Sequence, residues 1–397
     1  RSFTPAKKSG RATPVDIPQV MIIYDSGDKV QAFFMLSLFV LFLFFLIMPG
    51  AVFDAAKSAV MLWATTLVPS MLPFFMLNEM LTATGGIALL GRLLERPARR
   101  LLKLPGEAGF VLAAGYSTGV PVSAVLIADL RRQGRLTRAQ GNRLLPCAAN
   151  VSPIFILSAV AVSLLNAESS GAALALIHYG SNLFLTMVVS FFARREDMLP
   201  RVAVPKSSAP AETPLLTIVT NAIFRALKTM ALIGGLILVF FILIAFCREL
   251  GIIQLICKIC LISKEHEEAA TALFSGILEI TAGANAVSLS NLAFPWKLSF
   301  ISGILAFGGF SAMAQVASQL KDTDLSIVPY FFYKIIQGAL AFAVSLFLPM
   351  RIQAAATLPV AEQTYPLFLS CFVALLCYAF FVFIAFILLC RHYYAGR

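Results

Sequence analysis

The sequence predicts an all-α polytopic membrane protein, with about eight transmembrane helices and two re-entrant helical hairpins arranged as an inverted repeat. Hydrophobic residues make up 59% of the 397 residues and charged residues only 13%, well below the share found in soluble domains. The segments 32–48, 144–165, 172–193 and 366–390 contain no charged residue. Runs of this length fold as helices because lipid offers the backbone no hydrogen-bond partner.

Positive residues are concentrated in short segments between the apolar runs, which is the pattern that orients membrane helices. With the basic tail 1–31 in the cytoplasm, the basic clusters at 92–103 and 131–143 fall on the same side, although the apolar run 108–130 separates them. We therefore expect 108–130 to enter and leave the bilayer on one face as a re-entrant hairpin. Its middle is interrupted by the helix-breaking sequence Gly115–Pro121.

The apolar run 268–290 is interrupted in a similar way, so a second hairpin is predicted there. Each hairpin is preceded by one predicted crossing and followed by two. Three crossings per unit give two units of opposite orientation, an arrangement typical of secondary transporters. The predicted organisation is a disordered basic tail at 1–31, a first transmembrane helix and loop at 32–57, a repeat at 58–193 (the first half), a cytoplasmic linker at 194–221, a repeat at 222–350 (the second half), and a final helix with a short tail at 351–397.

Several other classes of protein are disfavoured. The net charge of +11 does not indicate nucleic-acid binding, because the positive residues flank membrane segments and no nucleic-acid module occurs. Metalloprotease, nucleophile-elbow and Walker motifs are missing from the sequence, so we predict neither an enzyme nor an ATP-driven pump, and no cofactor or metal. Residues 1–20 lack an apolar core and are not expected to be a cleavable signal; Arg1 and Met21 remain alternative natural starts.

Substrate binding is predicted at four helix interruptions, two in each half. A broken helix exposes backbone groups and the positive end of a half-helix dipole, which suits a carboxylate or a phosphate. The alternative is that these small and hydroxylated residues only let helices pack closely. The candidate substrate-binding residues are Ser117, Thr118, Gly119, Asn150, Ser152, Thr281, Asn285, Gly308, Gly309, Ser311 and Gln315.

Several ionisable residues lie within apolar runs of the two halves, and roles are predicted for three of them. Glu279 is predicted to bind a coupling proton or cation, because a carboxylate inside an apolar hairpin is costly and usually marks a pathway. The alternative is that Glu279 only caps a half-helix. Lys334 is interpreted as an interfacial lysine whose ammonium reaches the headgroup region, and His178 as a partner in a helix–helix hydrogen bond.

Ordered motifs in both halves resemble one known family. The first half contains Gly115–Leu130, Asn142–Ile156 and His178-Tyr179, and the second contains Leu278–Thr281 and Ala306–Ser311. In this order they resemble the YlbJ family of sporulation integral membrane proteins. The same segments are similar to the nucleoside-recognition or Gate domain, which is related to concentrative nucleoside transporters.

The resemblance implies a secondary transporter or permease for a small anionic aromatic acid. For this family it implies dipicolinate, moved into the developing spore across the membrane that surrounds the forespore. Two alternatives remain open: a non-transporting membrane assembly factor that binds partner proteins, and a transporter of nucleosides or ions. The expected partners are the lipid bilayer, the small anion, a coupling proton or cation and a second copy of the chain, with no nucleic acid.

Overall fold

The computed structural model describes residues 28–193, 214–259 and 261–347, and all regular secondary structure in these ranges is helical. The predicted helix 366–390 and most of the predicted linker lie outside the described residues. The helices are α1 (Asp28–Ile47), α2 (Pro49–Leu62), α3 (Val68–Ala83), α4 (Gly86–Arg100), α5 (Glu107–Thr118), α6 (Val120–Arg132), α7 (Arg138–Ala148), α8 (Gly171–Phe191), α9 (Leu215–Glu249), α10 (Ile252–Ile259), α11 (Glu267–Leu278), α12 (Ile280–Leu289), α13 (Phe294–Phe307), α14 (Gly309–Gln319) and α15 (Ile327–Phe347). Two π-helical segments, Trp63–Leu67 and Phe155–Leu164, lie between them.

Long apolar helices confirm an all-α multi-pass membrane protein. Five stretches of the described chain are long and apolar enough to cross a bilayer. Large apolar side chains on them point outward, with Phe224 72% and Leu176 67% exposed, as expected for surfaces that face lipid. The total of eight crossings stays a prediction. The five stretches are Pro49–Ala83, Glu168–Phe191, Leu215–Glu249, Phe294–Gln319 and Ile327–Phe347.

The chain forms two compact units, one ending at Pro49 and the other beginning at Gly50. The first unit contains α1. The second contains two large apolar clusters, and each draws side chains from both halves of the chain. One cluster includes Phe75, Ile156, Ile237 and Ile301; the other includes Val111, Leu144, Val316 and Tyr330.

Two regions predicted as loop or linker are helical. Much of the basic segment 92–103 belongs to α4, which exposes Arg92 and Arg96 and buries Gly91 against Phe110. A basic segment between membrane crossings can be helical when one face packs inward, even though arginines dominate its composition. In the predicted linker 194–221, α9 already begins at Leu215, where the proline-rich sequence ends and the apolar sequence starts.

The first interrupted run, 108–130, folds back on itself. α5 ends at Thr118 and α6 begins at Val120; between them lies Gly119, whose φ of +92° is unfavourable for other residues. An ion pair between Glu107 and Arg135, with 3.2 Å between the carboxylate and guanidinium atoms, joins the outer ends of the two helices. Re-entry into the bilayer from one face stays a prediction.

The second interrupted run, 268–290, also folds back on itself. α11 and α12 meet at Glu279, whose backbone is extended. At the outer ends, the amide nitrogen of Asn291 lies 3.5 Å from a carboxylate oxygen of Glu268. The two helices approach so closely that a Cβ atom on Gly283 would overlap the Cα atom of Gly276.

Candidate substrate site at the helix breaks

In the first half, the tip of the hairpin packs against the break that follows α7. The helix ends at Ala148, and Pro153 disfavours a helical backbone at the preceding Ser152. A Cβ atom at Gly119 would lie 3.6 Å from the carbonyl oxygen of Asn150 and 3.7 Å from the backbone nitrogen of Ser152. The structure thus brings together three of the predicted residues: Gly119, Asn150 and Ser152.

In the second half, the hairpin tip again packs against a break. α13 and α14 are separated at Gly308 and Gly309, which have φ values of +90° and +73°. A Cβ atom at Gly309 would lie 3.3 Å from the carbonyl oxygen of Leu278 and 3.4 Å from the Cα atom of Glu279. The left-handed backbone and this close approach both favour glycine at position 309.

Glu279 is buried at the second tip, with 5% of its surface exposed. One carboxylate oxygen accepts a hydrogen bond of 2.6 Å from the backbone nitrogen of Ala282, so the side chain caps α12. No cation of the described residues lies within ion-pair distance of this carboxylate. The capping role is therefore present, and the binding of a coupling ion stays a prediction.

Lys334 is buried in α15, with 2% of its surface exposed, so its interpretation as an interfacial lysine is wrong. The ammonium donates hydrogen bonds to Asn150 Oδ1 at 2.8 Å and to Gln337 Oε1 at 2.9 Å. It also lies 5.6 Å from the centroid of the Tyr330 ring. Within the described chain, no carboxylate is within ion-pair distance of Lys334.

A buried hydrogen-bond network surrounds Lys334 and joins α8 to α15. Asn182 Nδ2 donates to the carbonyl oxygen of Pro146 at 2.9 Å and to Gln337 Oε1 at 3.3 Å. The hydroxyl of Tyr333 donates to the carbonyl oxygen of Asn182 at 2.6 Å and lies 2.8 Å from the hydroxyl of Thr186. Hydrogen bonding of this kind satisfies the buried polar groups and fixes the two helices relative to each other.

His178 is buried beside this network, and its side chain does not make the predicted helix–helix hydrogen bond. Neither ring nitrogen has a hydrogen-bond partner among the described residues. The ring meets that of Tyr179 edge to face at 5.0 Å between centroids. Only the carbonyl oxygen of His178 is bonded to α15, where Gln337 Nε2 donates to it at 3.2 Å.

The other predicted residues lie near the breaks without forming a common set of contacts. The hydroxyls of Ser117 and Thr118 donate to carbonyl oxygens one turn earlier in α5. Thr281 and Ser311 are buried. Asn285 and Gln315 are half-buried. A single site formed by all four interruptions stays a prediction.

Sequence reasoning missed the residues of α15 that form this network. The spacing of Tyr330, Lys334 and Gln337 could have identified them, because it places three polar residues on one face of α15. All three are buried in the structure. An ionisable residue on such a stripe points into the protein rather than toward the headgroups.

The comparisons with known proteins identify one relative. The chain is 33% identical over 325 residues to the sporulation integral membrane protein YlbJ of Bacillus subtilis (strain 168). The matched region covers 76% of this chain and 79% of that protein. No protein-family model matches the chain, and no solved structure matches it.

Proposed function

Because this chain belongs to the YlbJ family of sporulation integral membrane proteins, we propose that it is a secondary transporter or permease for a small anionic aromatic acid. By resemblance the acid is dipicolinate, moved into the developing spore across the membrane that surrounds the forespore. A coupling proton or cation would drive the movement.

The observation that supports transport is the contact between each hairpin tip and the helix break in the same half. Gly119 lies against Asn150 and Ser152, and Gly309 lies against Glu279. Secondary transporters bind their substrates where broken helices meet, and they alternate access by moving one repeat against the other. A membrane assembly factor that only bound partner proteins would not need these buried breaks.

The order of the helices supports the proposed inverted repeat. In each half a long apolar segment is followed by a short helix, two helices joined at a tip, a broken helix and an unbroken helix. These are α2 to α8 in the first half and α9 to α15 in the second. The bonds between the outer ends of each hairpin are compatible with entry and exit on one face.

Uptake of radiolabelled dipicolinate into proteoliposomes, under imposed proton and sodium gradients, tests this function. Gly309→Ala would force a left-handed backbone on alanine and push its Cβ against the tip, so we expect uptake to fall about tenfold or more. The matched control is Gly134→Ala, which has a φ of +69° but no atom within 4 Å of the added Cβ. Its uptake should stay near that of the wild type.

Two results would contradict the proposal. If the wild type moves no dipicolinate under any gradient, the substrate assignment fails. If Gly309→Ala and Gly134→Ala transport equally well, the breaks do not take part in transport. An excess of unlabelled nucleoside that abolishes dipicolinate uptake would favour the nucleoside alternative.

A further inference from the structure

We propose that Lys334 binds a carboxylate group of the transported anion, at the break that follows α7. The inference rests on the proposed function and specifies its substrate site. The ligand class is a small carboxylate, for which dipicolinate is the first probe.

Lys334 has no compensating negative charge among the described residues. Burying an ammonium group in an apolar protein is costly unless an opposite charge compensates it, and such residues in membrane proteins usually belong to functional sites. The two hydrogen-bond acceptors of Lys334 are the neutral side-chain oxygens of Asn150 and Gln337. They use two of the three N–H groups of the ammonium. A carboxylate would supply both the third acceptor and the charge.

The ammonium of Lys334 lies at the helix break that follows α7. Its partner Asn150 belongs to the break, and the carbonyl oxygen of the same residue lies next to Gly119 at the hairpin tip. The Asn150 amide nitrogen donates to the carbonyl oxygen of Cys147 at 2.6 Å, which holds the amide oxygen toward Lys334. Movement of the tip would open this junction without unwinding a helix, because the backbone there is already outside one.

A second buried polar group near this network, the His178 ring, also lacks a partner among the described residues. The ring nitrogens of His178 lack hydrogen bonds among the described residues, although buried polar atoms are nearly always bonded. Gln337 links the two residues, since it accepts from Lys334 and donates to the His178 carbonyl oxygen. Gln337 therefore connects an ammonium without a charged partner among the described residues to the backbone of a residue whose imidazole is unbonded there.

The competing explanation is that Lys334 only joins α15 to the end of α7. Asn150→Asp separates the two explanations. The new carboxylate would neutralise Lys334 from within the protein, which keeps or strengthens the contact between helices but removes the attraction for an external anion. Anion binding should therefore be lost. Some stability is lost as well, because the new carboxylate cannot donate to the carbonyl oxygen of Cys147. A lysine that only joins the helices, away from the anion site, predicts the same loss of stability with unchanged binding.

The experiment measures binding of radiolabelled dipicolinate to the purified full chain, together with its thermal unfolding midpoint. The neutral diamide of dipicolinic acid serves as a probe of the same shape without charge. We expect Lys334→Met to weaken dipicolinate binding about 10- to 100-fold. Asn150→Asp should lose at least as much affinity, with a midpoint lowered by the loss of the hydrogen bond to Cys147. The control Lys297→Met removes a lysine outside this site, whose ammonium donates to the carbonyl oxygen of Ser288 at 2.8 Å, and should leave the affinity unchanged.

Each outcome decides the proposal. A folded Lys334→Met variant with wild-type affinity overturns it, even if uptake of dipicolinate by the wild type has been demonstrated. If Lys334→Met does not fold, the affinity of Asn150→Asp for dipicolinate tests the proposal by itself. Wild-type affinity in that variant overturns the proposal. If the wild type neither binds nor moves dipicolinate but is stabilised by another small carboxylate in a Lys334-dependent way, the proposed substrate fails and the carboxylate site stands.

Discussion

A charged side chain lies at one helix break of each half, but both side chains come from the second half and they are held by different contacts. Glu279 accepts a hydrogen bond from the backbone three residues further along its own chain segment. Lys334 reaches Asn150, which is 184 residues earlier and belongs to the other half. If the halves move relative to each other, the carboxylate of Glu279 therefore keeps its bond to Ala282. The ammonium of Lys334, in contrast, changes its position relative to Asn150. Of these two contacts, only the bond between Lys334 and Asn150 can break or form directly when the halves move.

The largest effect on stability is expected from glycines at which a hairpin helix closely approaches another backbone segment. A methyl group at Gly283 would overlap backbone at Gly276, and one at Gly115 would overlap the carbonyl oxygen of Ala148. Because backbone atoms cannot rotate away, each alanine variant should lower the free energy of unfolding by about 1–3 kcal/mol, measured by thermal or denaturant unfolding.

The matched control for these variants is Gly235→Ala, a helical position with nothing within 4 Å of the added methyl group. There alanine should be neutral or slightly stabilising because it lowers the entropy cost of the helix. If Gly283→Ala behaves like this control while Gly115→Ala does not, the two hairpins are packed differently. The two halves would then not be structurally equivalent.

A smaller effect is expected from the carboxylate at the second tip. Glu279→Ala removes the cap on α12 and should cost about 1 kcal/mol of stability, whereas Glu279→Gln keeps an oxygen that can accept from Ala282. If Glu279 binds the coupling ion, Glu279→Gln should fold normally while its uptake no longer depends on the imposed gradient. Uptake in proteoliposomes at several proton and sodium gradients measures this. A fully active and still ion-coupled Glu279→Gln would refute the role of Glu279.

The smallest effect is expected at the surface, where a bidentate ion pair joins the halves. The guanidinium of Arg131 bonds both carboxylate oxygens of Asp324, at 2.7 and 2.8 Å, and its hydrogen bond holds the pKa of that carboxyl below its ordinary value. The resulting stability is present above the unfolded pKa of about 3.9 and is lost as the pH falls through the lower folded value. Asp324 is 46% exposed on its side chain, so Asp324→Asn should cost less than about 1 kcal/mol.

Unfolding midpoints of the wild type and Asp324→Asn should therefore converge on acidification below about pH 4. Asp129→Asn is the matched control, because Asp129 pairs with Arg132 of the same helix and does not connect the halves. Equal effects of the two variants on uptake would show that the ion pair between the halves has no role in transport beyond that of an ordinary surface ion pair. A larger effect of Asp324→Asn would show that it does.

Local sequence rules located several parts of the candidate site. Glycine and proline are unfavourable in helix interiors, and where they cluster with other helix-disfavouring residues a break is favoured, so Gly119, Ser152 before Pro153, and Gly308-Gly309 could be identified as candidate breaks without a structure. Glu279 was recognisable because a carboxylate in an apolar run is rare. The roles of Lys334 and His178 were not recognisable, since a position in a helix does not reveal what lies opposite that side chain.

The sequence by itself determined that this protein is a multi-pass helical membrane protein and where its helices break, because both depend on composition and on the backbone preferences of single residues. The tertiary structure alone decided that α4 packs on Phe110, that each hairpin tip meets the break of its own half, and that Lys334 is buried against Asn150. These contacts join residues far apart in the chain, and their existence depends on how the helices pack rather than on any local pattern.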